Sequence, residues 1–91
     1  MTSIEYNDLV DSLCRGHDVI FLYEGKHYFL ERDETNHNLY KVSEDLETSE
    51  FLHKFNGDNL SIRVNSFLES KLFNEKSFNE IYSTVTIIDI E

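Results

Sequence analysis

The run "HDVIFLYEGKHYFLER", residues 17–32, constrains the fold of this 91-residue chain more than any other stretch. Two segments rich in aromatic and β-branched residues, Val19–Tyr23 and His27–Glu31, flank the short sequence Glu24-Gly25-Lys26. Such tight spacing around a glycine, which readily adopts positive φ, is typical of a β-hairpin. The sequence therefore predicts a pair of antiparallel strands early in the chain.

Amphipathic patterns predict helices on both sides of this hairpin. Near the N-terminus, Thr2-x-x-Glu5 has the spacing of a capping box, and Gly16 is placed to end the helix. Toward the C-terminus, Ser77 with Glu80 three residues later predicts a second capping box and a short helix, and residues 84–90 predict a last strand. The apolar face of the first helix is predicted to consist of Tyr6, Leu9, Val10, Leu13 and Cys14.

Between these ends, residues 39–42 predict a third strand, and two assignments remain open. Residues 51–55 alternate as a fourth strand does, although a short helical turn fits nearly as well. Residues 60–64 also alternate, but a longer helical stripe, capped by Asp58 or Asn59, makes a helix the better interpretation. That stripe contains Leu60, Val64, Phe67, Leu68 and Leu72.

The chain contains no proline, internal repeat, low-complexity tract or linker. Its length suits one compact domain. We therefore predict a single α+β domain over residues 1–91. It has an N-terminal helix, an antiparallel sheet of three to four strands, two C-terminal helices and room for a last strand.

Charge is the unusual feature of the composition. The net charge is −10, and residues 1–50 hold twelve acids against four bases. Direct binding to nucleic acid or to an anionic membrane is disfavoured, because each phosphate contact needs a cation. A partner protein with a basic surface would instead be attracted.

Other features of the sequence predict the compartment. An export signal has a basic segment followed by an apolar one, and the N-terminal "MTSIEYNDLV" contains neither. No apolar run reaches the roughly 20 residues of a membrane span. The single cysteine excludes an internal disulfide and suits a reducing environment. We expect a cytoplasmic protein.

Catalytic and metal-binding signatures are incomplete in this chain. Cys14-x-x-His17 could activate a thiolate, but Cys14 also fits the apolar face of the first helix. None of the four histidines has zinc-site spacing; His37 with Asp33 and Glu34 could hold a metal only weakly. The acidic run 43–50 lacks the central glycine of a calcium loop. We therefore predict a non-enzyme without a cofactor or metal.

Two stretches carry a resemblance to known proteins. The hairpin "FLYEGKHYFLE" and the later "KSFNEIYSTVTI" resemble small uncharacterised acidic proteins of low-GC Gram-positive bacteria and their phages. The resemblance covers about a third of the chain and rests on turn and core residues, so it implies an origin and an α+β fold but no catalytic residues. In type, though not in motif, such proteins are similar to anti-CRISPR inhibitors that mimic DNA.

The function that we predict is presentation of carboxylates to the basic surface of a nucleic-acid-binding protein, which would be inhibited. Carboxylates held several ångströms apart can occupy the positions of phosphates. The alternative is a small bacterial regulatory or accessory domain that binds its partner through an apolar surface, with the acids serving solubility. The candidate partner-binding residues are Asp8, Asp11, Asp33, Glu34, Glu44, Asp45, Glu47 and Glu50.

Overall fold

A computed structural model describes residues 5–91 as an α+β domain. Its five strands form one antiparallel sheet in the order β4-β3-β2-β1-β5. The predicted fold class is confirmed, and the C-terminal strand brings the sheet to five strands. The elements are α1 (Tyr6–Cys14), β1 (Val19–Tyr23), β2 (Lys26–Arg32), β3 (Asn36–Val42), β4 (Ser49–Asn56), α2 (Leu60–Glu69), α3 (Phe78–Ile81), a 3-10 turn (Tyr82–Thr84) and β5 (Thr86–Ile90).

The predicted hairpin is confirmed. Tyr23 pairs with Lys26, which leaves a two-residue loop at the tip. Glu24 and Gly25 have φ of 50° and 76°, and two positive φ values are the signature of the type I′ turn. This turn follows the right-handed twist of strands, so the local sequence alone sets the register of β1 against β2.

Both open assignments are resolved. Residues 51–55 lie within β4, and residues 60–64 lie in α2, whose cap Asn59 accepts a hydrogen bond from the backbone N–H of Ile62 at 3.0 Å. The helix ends at Glu69 because Ser70 is already extended, so Leu72 of the predicted stripe lies beyond the helix.

The two predicted capping boxes have different outcomes. Ser77 and Glu80 form the box at the start of α3, with both reciprocal hydrogen bonds present. The box proposed for the first helix includes Thr2, which lies outside the described residues. The position before α1 is Glu5, and its side chain makes no capping hydrogen bond.

The three helices pack with one face of the sheet around an aromatic core. Leu9 and Leu13 of α1 are fully buried there, as predicted, while Tyr6, Val10 and Cys14 are partly buried against the same cluster. The centre is a set of phenylalanines in edge or tilted contact, with ring centroids 4.9–6.5 Å apart: Phe21, Phe55, Phe67, Phe73 and Phe78. The burial of these large rings contributes to the hydrophobic stabilisation of this small domain.

No helix within residues 5–91 is long and apolar enough to span a membrane. The helices that do form are short, the longest having ten residues. They cover only one side of the sheet, and the side chains of the other side determine where a partner could bind.

Candidate protein-binding surface

The face of the sheet that points away from the helices, here called the open face, carries an apolar row across four strands. Ile20, Phe29, Tyr40 and Phe51 are successive direct cross-strand partners. The rings of Phe29 and Tyr40 stack with centroids 6.3 Å apart, and Tyr40 meets Phe51 edge to face at 5.8 Å. Leu22 and Val42 lie beside this row on the same face and are half-buried.

Exposure increases toward the edge strand β4. Ile20, Phe29 and Tyr40 are half-buried by their neighbours, whereas Phe51 is 53% exposed. No helix of the described part of the chain covers them. The apolar row therefore presents a ring at the sheet edge that a partner could bury.

Both edge strands are irregular. The β3–β4 register shifts between Leu39 and Tyr40, which leaves Leu52 as an extra residue in β4, and the β1–β5 register shifts between Ile20 and Phe21. Bulges of this kind interrupt the row of free backbone groups and disfavour pairing with a further strand. A partner is thus more easily accommodated on the open face than along its edges.

Carboxylates border the apolar row on the side of the β2–β3 turn. Desolvation among its neighbours raises the pKa of the Tyr40 phenol, and the carboxylates of Glu31 and Asp33 raise it further. Both acids therefore lie near this ring. Lys54, across the β3–β4 ladder from Asn38, is the cation in the same area.

Asp33 is held by the turn that it forms. Its carboxylate accepts hydrogen bonds from the side-chain amide of Asn38 and from the backbone N–H groups of Thr35 and Asn36, at 2.7–2.9 Å. These bonds, that from Asn38 foremost, lower the pKa of Asp33 to about 2. The carboxylate is consequently a fixed negative charge as well as a structural part of the turn.

Arg63 of α2 fixes the same turn from the helical side. The side chain is buried, and its guanidinium donates to the backbone carbonyl oxygens of Asp33, Glu34 and Gly57 at 3.1–3.4 Å. It also borders an open cleft of about 620 Å³, which includes Glu34 and Asp58. Each guanidinium nitrogen of Arg63 donates to a backbone carbonyl of the chain, and the acids Glu34 and Asp58 line the same cleft. Arg63 therefore stabilises the turn.

A second group of acids occupies the β3–β4 turn. Ser43 closes this turn with its backbone N–H to the carbonyl of Thr48, and its hydroxyl accepts from the backbone N–H groups of Glu47 and Thr48. The Asp45 carboxylate accepts hydrogen bonds from the Ser43 hydroxyl and from the backbone N–H of Glu47. Both bonds lower the pKa of Asp45, and the bond from Ser43 has the larger effect. Glu44 and Glu47 are exposed, so the turn presents their carboxylates from a hydrogen-bonded backbone.

The predicted partner-binding acids do not form one patch. Asp33 and Glu34 precede β3, and Glu44, Asp45 and Glu47 follow it, so the two groups lie about 20 Å apart at opposite ends of this seven-residue strand. Glu50 is the second residue of β4, beside the second group, and is the cross-strand partner of Lys41.

Asp8 and Asp11 belong to the helical layer, on the exposed side of α1. Asp11 is paired with Arg15 at 2.9 Å, and this is the one ion pair found within residues 5–91. The other acids in that range keep their charges without an ion-pair partner, which is the electrostatic condition for attracting a basic surface.

The Cys14–His17 pair and the metal site at His37, which the sequence also suggested, have little support in the geometry of residues 5–91. Cys14 is partly buried against α2, where the Ser61 hydroxyl lies 3.9 Å from its sulfur, and His17 is exposed beyond the helix. His37 is fully buried on the helix-covered face, opposite Phe55, whereas the Asp33 carboxylate bonds to Asn38 on the open face. In the part of the chain that the structure describes, no three His, Cys, Asp or Glu side chains converge as a metal site.

The apolar row was not predicted, although the sequence contains a signal for it. The segment "VIFLY" of β1 is apolar at every position rather than at alternate ones. Uninterrupted apolar strands are typical of sheets covered on both faces, whereas the described helices cover only one. The residues of β1 that point away from the helices are Ile20 and Leu22, and their apolar side chains lie on the open face.

Comparisons of this chain with protein-family models, with curated proteins and with solved structures find no match.

Proposed function

We propose that this chain is a non-enzymatic interaction protein that binds a partner protein through a basic surface on that partner. The partner is a nucleic-acid-binding protein, and the chain inhibits it by occupying the surface that phosphates would occupy. The observation that carries the proposal is the β3–β4 turn. Its backbone is fixed by hydrogen bonds that Ser43 donates to Thr48 and accepts from Glu47 and Thr48, while Glu44 and Glu47 are exposed and have no ion-pair partner within residues 5–91.

Electrostatics support the same proposal. One carboxylate of the described chain is in an ion pair, and the formal net charge is −10. Unneutralised acids on a fixed backbone attract a basic surface over a distance of about one Debye length, roughly 8–10 Å in physiological salt. Phosphate mimicry requires this combination of charge and fixed position.

A variant of three acids tests the proposal. Replacing Glu44, Glu47 and Glu50 by Gln removes three charges and leaves Asp45, whose carboxylate holds the turn. The matched control carries Asp58→Asn, Glu69→Gln and Glu91→Gln, which remove the same number of charges at exposed positions elsewhere. Each protein is immobilised and exposed to a bacterial lysate, and the captured proteins are identified by mass spectrometry.

We expect the parent chain and the control to capture nucleic-acid-binding proteins that double-stranded DNA displaces. The triple variant should lose most of this capture, and capture by the parent should weaken as salt rises. Equal capture by the triple variant, or no displacement by DNA, would contradict the proposal.

A second candidate function has its own observation in favour. The open face with its exposed Phe51 suits a regulatory or accessory domain that binds a partner through apolar contacts, the acids then serving solubility. In that case binding would survive the replacement of Glu44, Glu47 and Glu50 by Gln and would depend little on salt. The same capture experiment therefore separates the two candidates.

A further inference from the structure

We propose that the open face is a docking surface for a basic amphipathic α-helix of a partner protein. This inference rests on the proposed function only for the basic character of the partner. It adds the surface that binds, the element that is bound and the residues that contact it.

The apolar row has the shape of a helix-binding strip. Its four side chains are direct cross-strand neighbours, so the row crosses three inter-strand spacings, about 14 Å. An α-helix of roughly ten residues has that length and presents an apolar stripe along one side. On the opposite face of the same sheet, α2 packs through Val64, Phe67 and Leu68, mainly against β4 and β3.

The charges beside the row select a basic helix. On one side of the row, Glu31 and Lys54 are the cross-strand partners of Asn38, and the side-chain amide of Asn38 donates to the Asp33 carboxylate at 2.9 Å. Beyond the other side is the β3–β4 turn with exposed Glu44 and Glu47. A helix with lysine or arginine flanking its apolar stripe would place cations toward both acidic sides.

Other occupants fit less well. A second copy of this chain would bring another net charge of −10 to the surface. An added strand would have to pair with an edge strand, and both edge strands are irregular: β4 has a bulge against β3, and β5 has one against β1. A neutral apolar helix would leave the bordering carboxylates without partners.

A synthetic peptide pair tests the inference. One peptide of about 14 residues has leucines on one face and lysines on the other, and the second has the same composition in an order that gives no apolar face. Binding to the full chain is measured by calorimetry, and the binding site is mapped by amide chemical shifts. The variants are Phe51→Ser and, as a matched control, Ile62→Ser, since Ile62 is 48% exposed on α2.

We expect the amphipathic peptide to bind at least about tenfold more tightly than the shuffled one. Shift changes should centre on Ile20, Phe29, Tyr40 and Phe51. The Phe51→Ser variant should lose this preference, and Ile62→Ser should keep it. Circular dichroism verifies that both variants fold.

Equal affinities for the two peptides, shift changes confined to the helical layer or an unchanged preference in Phe51→Ser would each overturn the inference. So would the absence of binding by either peptide. The lysate capture decides the carboxylate proposal separately. If the peptides bind equally and replacing Glu44, Glu47 and Glu50 by Gln weakens the binding of both, these acids bind basic partners but the open face does not select a helix.

Discussion

Tyr40 and Phe51 are direct cross-strand partners on the open face, with ring centroids 5.8 Å apart and ring planes at 72°. This edge-to-face contact joins an interior strand to an edge strand on a surface that no described helix covers. The aromatic pair therefore stabilises the position of β4 and at the same time leaves Phe51 available to a partner.

A double-mutant cycle measures the contact. We expect the changes Tyr40→Leu and Phe51→Leu to be coupled by about 0.2–1 kcal/mol in the free energy of unfolding, because they remove the same cross-strand contact. The control cycle combines Phe51→Leu with Ile62→Ala on α2, and there the effects should add within about 0.5 kcal/mol. Coupling of equal size in both cycles would mean that the ring contact contributes nothing specific.

The orientation of α1 gives a prediction for stability. Leu9 is fully buried, so Leu9→Ala should lower the free energy of unfolding by about 2–5 kcal/mol through lost burial and a residual cavity. Asp8 is exposed on the other side of the helix, and Asp8→Ala should change it by no more than about 0.5 kcal/mol. Urea denaturation measures both, and similar losses would contradict the observed helix face.

Local features of the fold could be predicted from the sequence because short-range physics decides them. The Glu24-Gly25 turn and the Ser77–Glu80 capping box each depend on a few neighbouring residues. The place of β5 beside β1 depends on pairs such as Phe21 with Ile87, and no local pattern encodes which strands pair over that separation. The start of β3 was missed because its first residues are polar and become strand through the turn at Asp33.

The candidate surface was predictable in its charges but not in its arrangement. The sequence places Asp33, Glu34 and the acids of 44–50 in one acid-rich region but leaves open whether they form one patch. The extended strand β3 separates the two groups, since a strand spans about 3.3 Å per residue. The apolar row is assembled from four strands by their register, which sequence periodicity within any one strand does not reveal.

The turn at Asp33 makes stability sensitive to acid. The pKa of this carboxyl is about 2 in the folded chain against an ordinary value of 3.8, because the turn donors favour the charged form. Its contribution is therefore complete above pH 3.8 and is lost as pH falls through about 2. Asp33→Asn retains an acceptor but no longer titrates, so its unfolding free energy should fall less between pH 4 and pH 2 than that of the parent. Parallel curves for the two proteins would contradict this role.

His37 predicts a second pH dependence, near neutrality. The imidazole is fully buried, and neither ring nitrogen has a hydrogen-bond partner within residues 5–91. Burial lowers its pKa below 6.5, as do the nearby cations of Arg63 on α2 and Arg32 on β2. The carboxylates of Asp18, before β1, and Asp33 act in the opposite direction without reversing the shift.

Between the folded pKa of His37 and 6.5, the unfolded chain binds the proton more readily than the folded chain. Stability should therefore decline as pH falls below 6.5, a change measured by thermal unfolding from pH 7.5 to pH 5. His37→Leu should reduce this decline, and at pH 7.5 it should not destabilise the chain greatly, because no hydrogen bond of the ring is lost. The control His17→Gln alters an exposed histidine and should follow the parent. If His37→Leu shows the same decline as the parent, another group causes it.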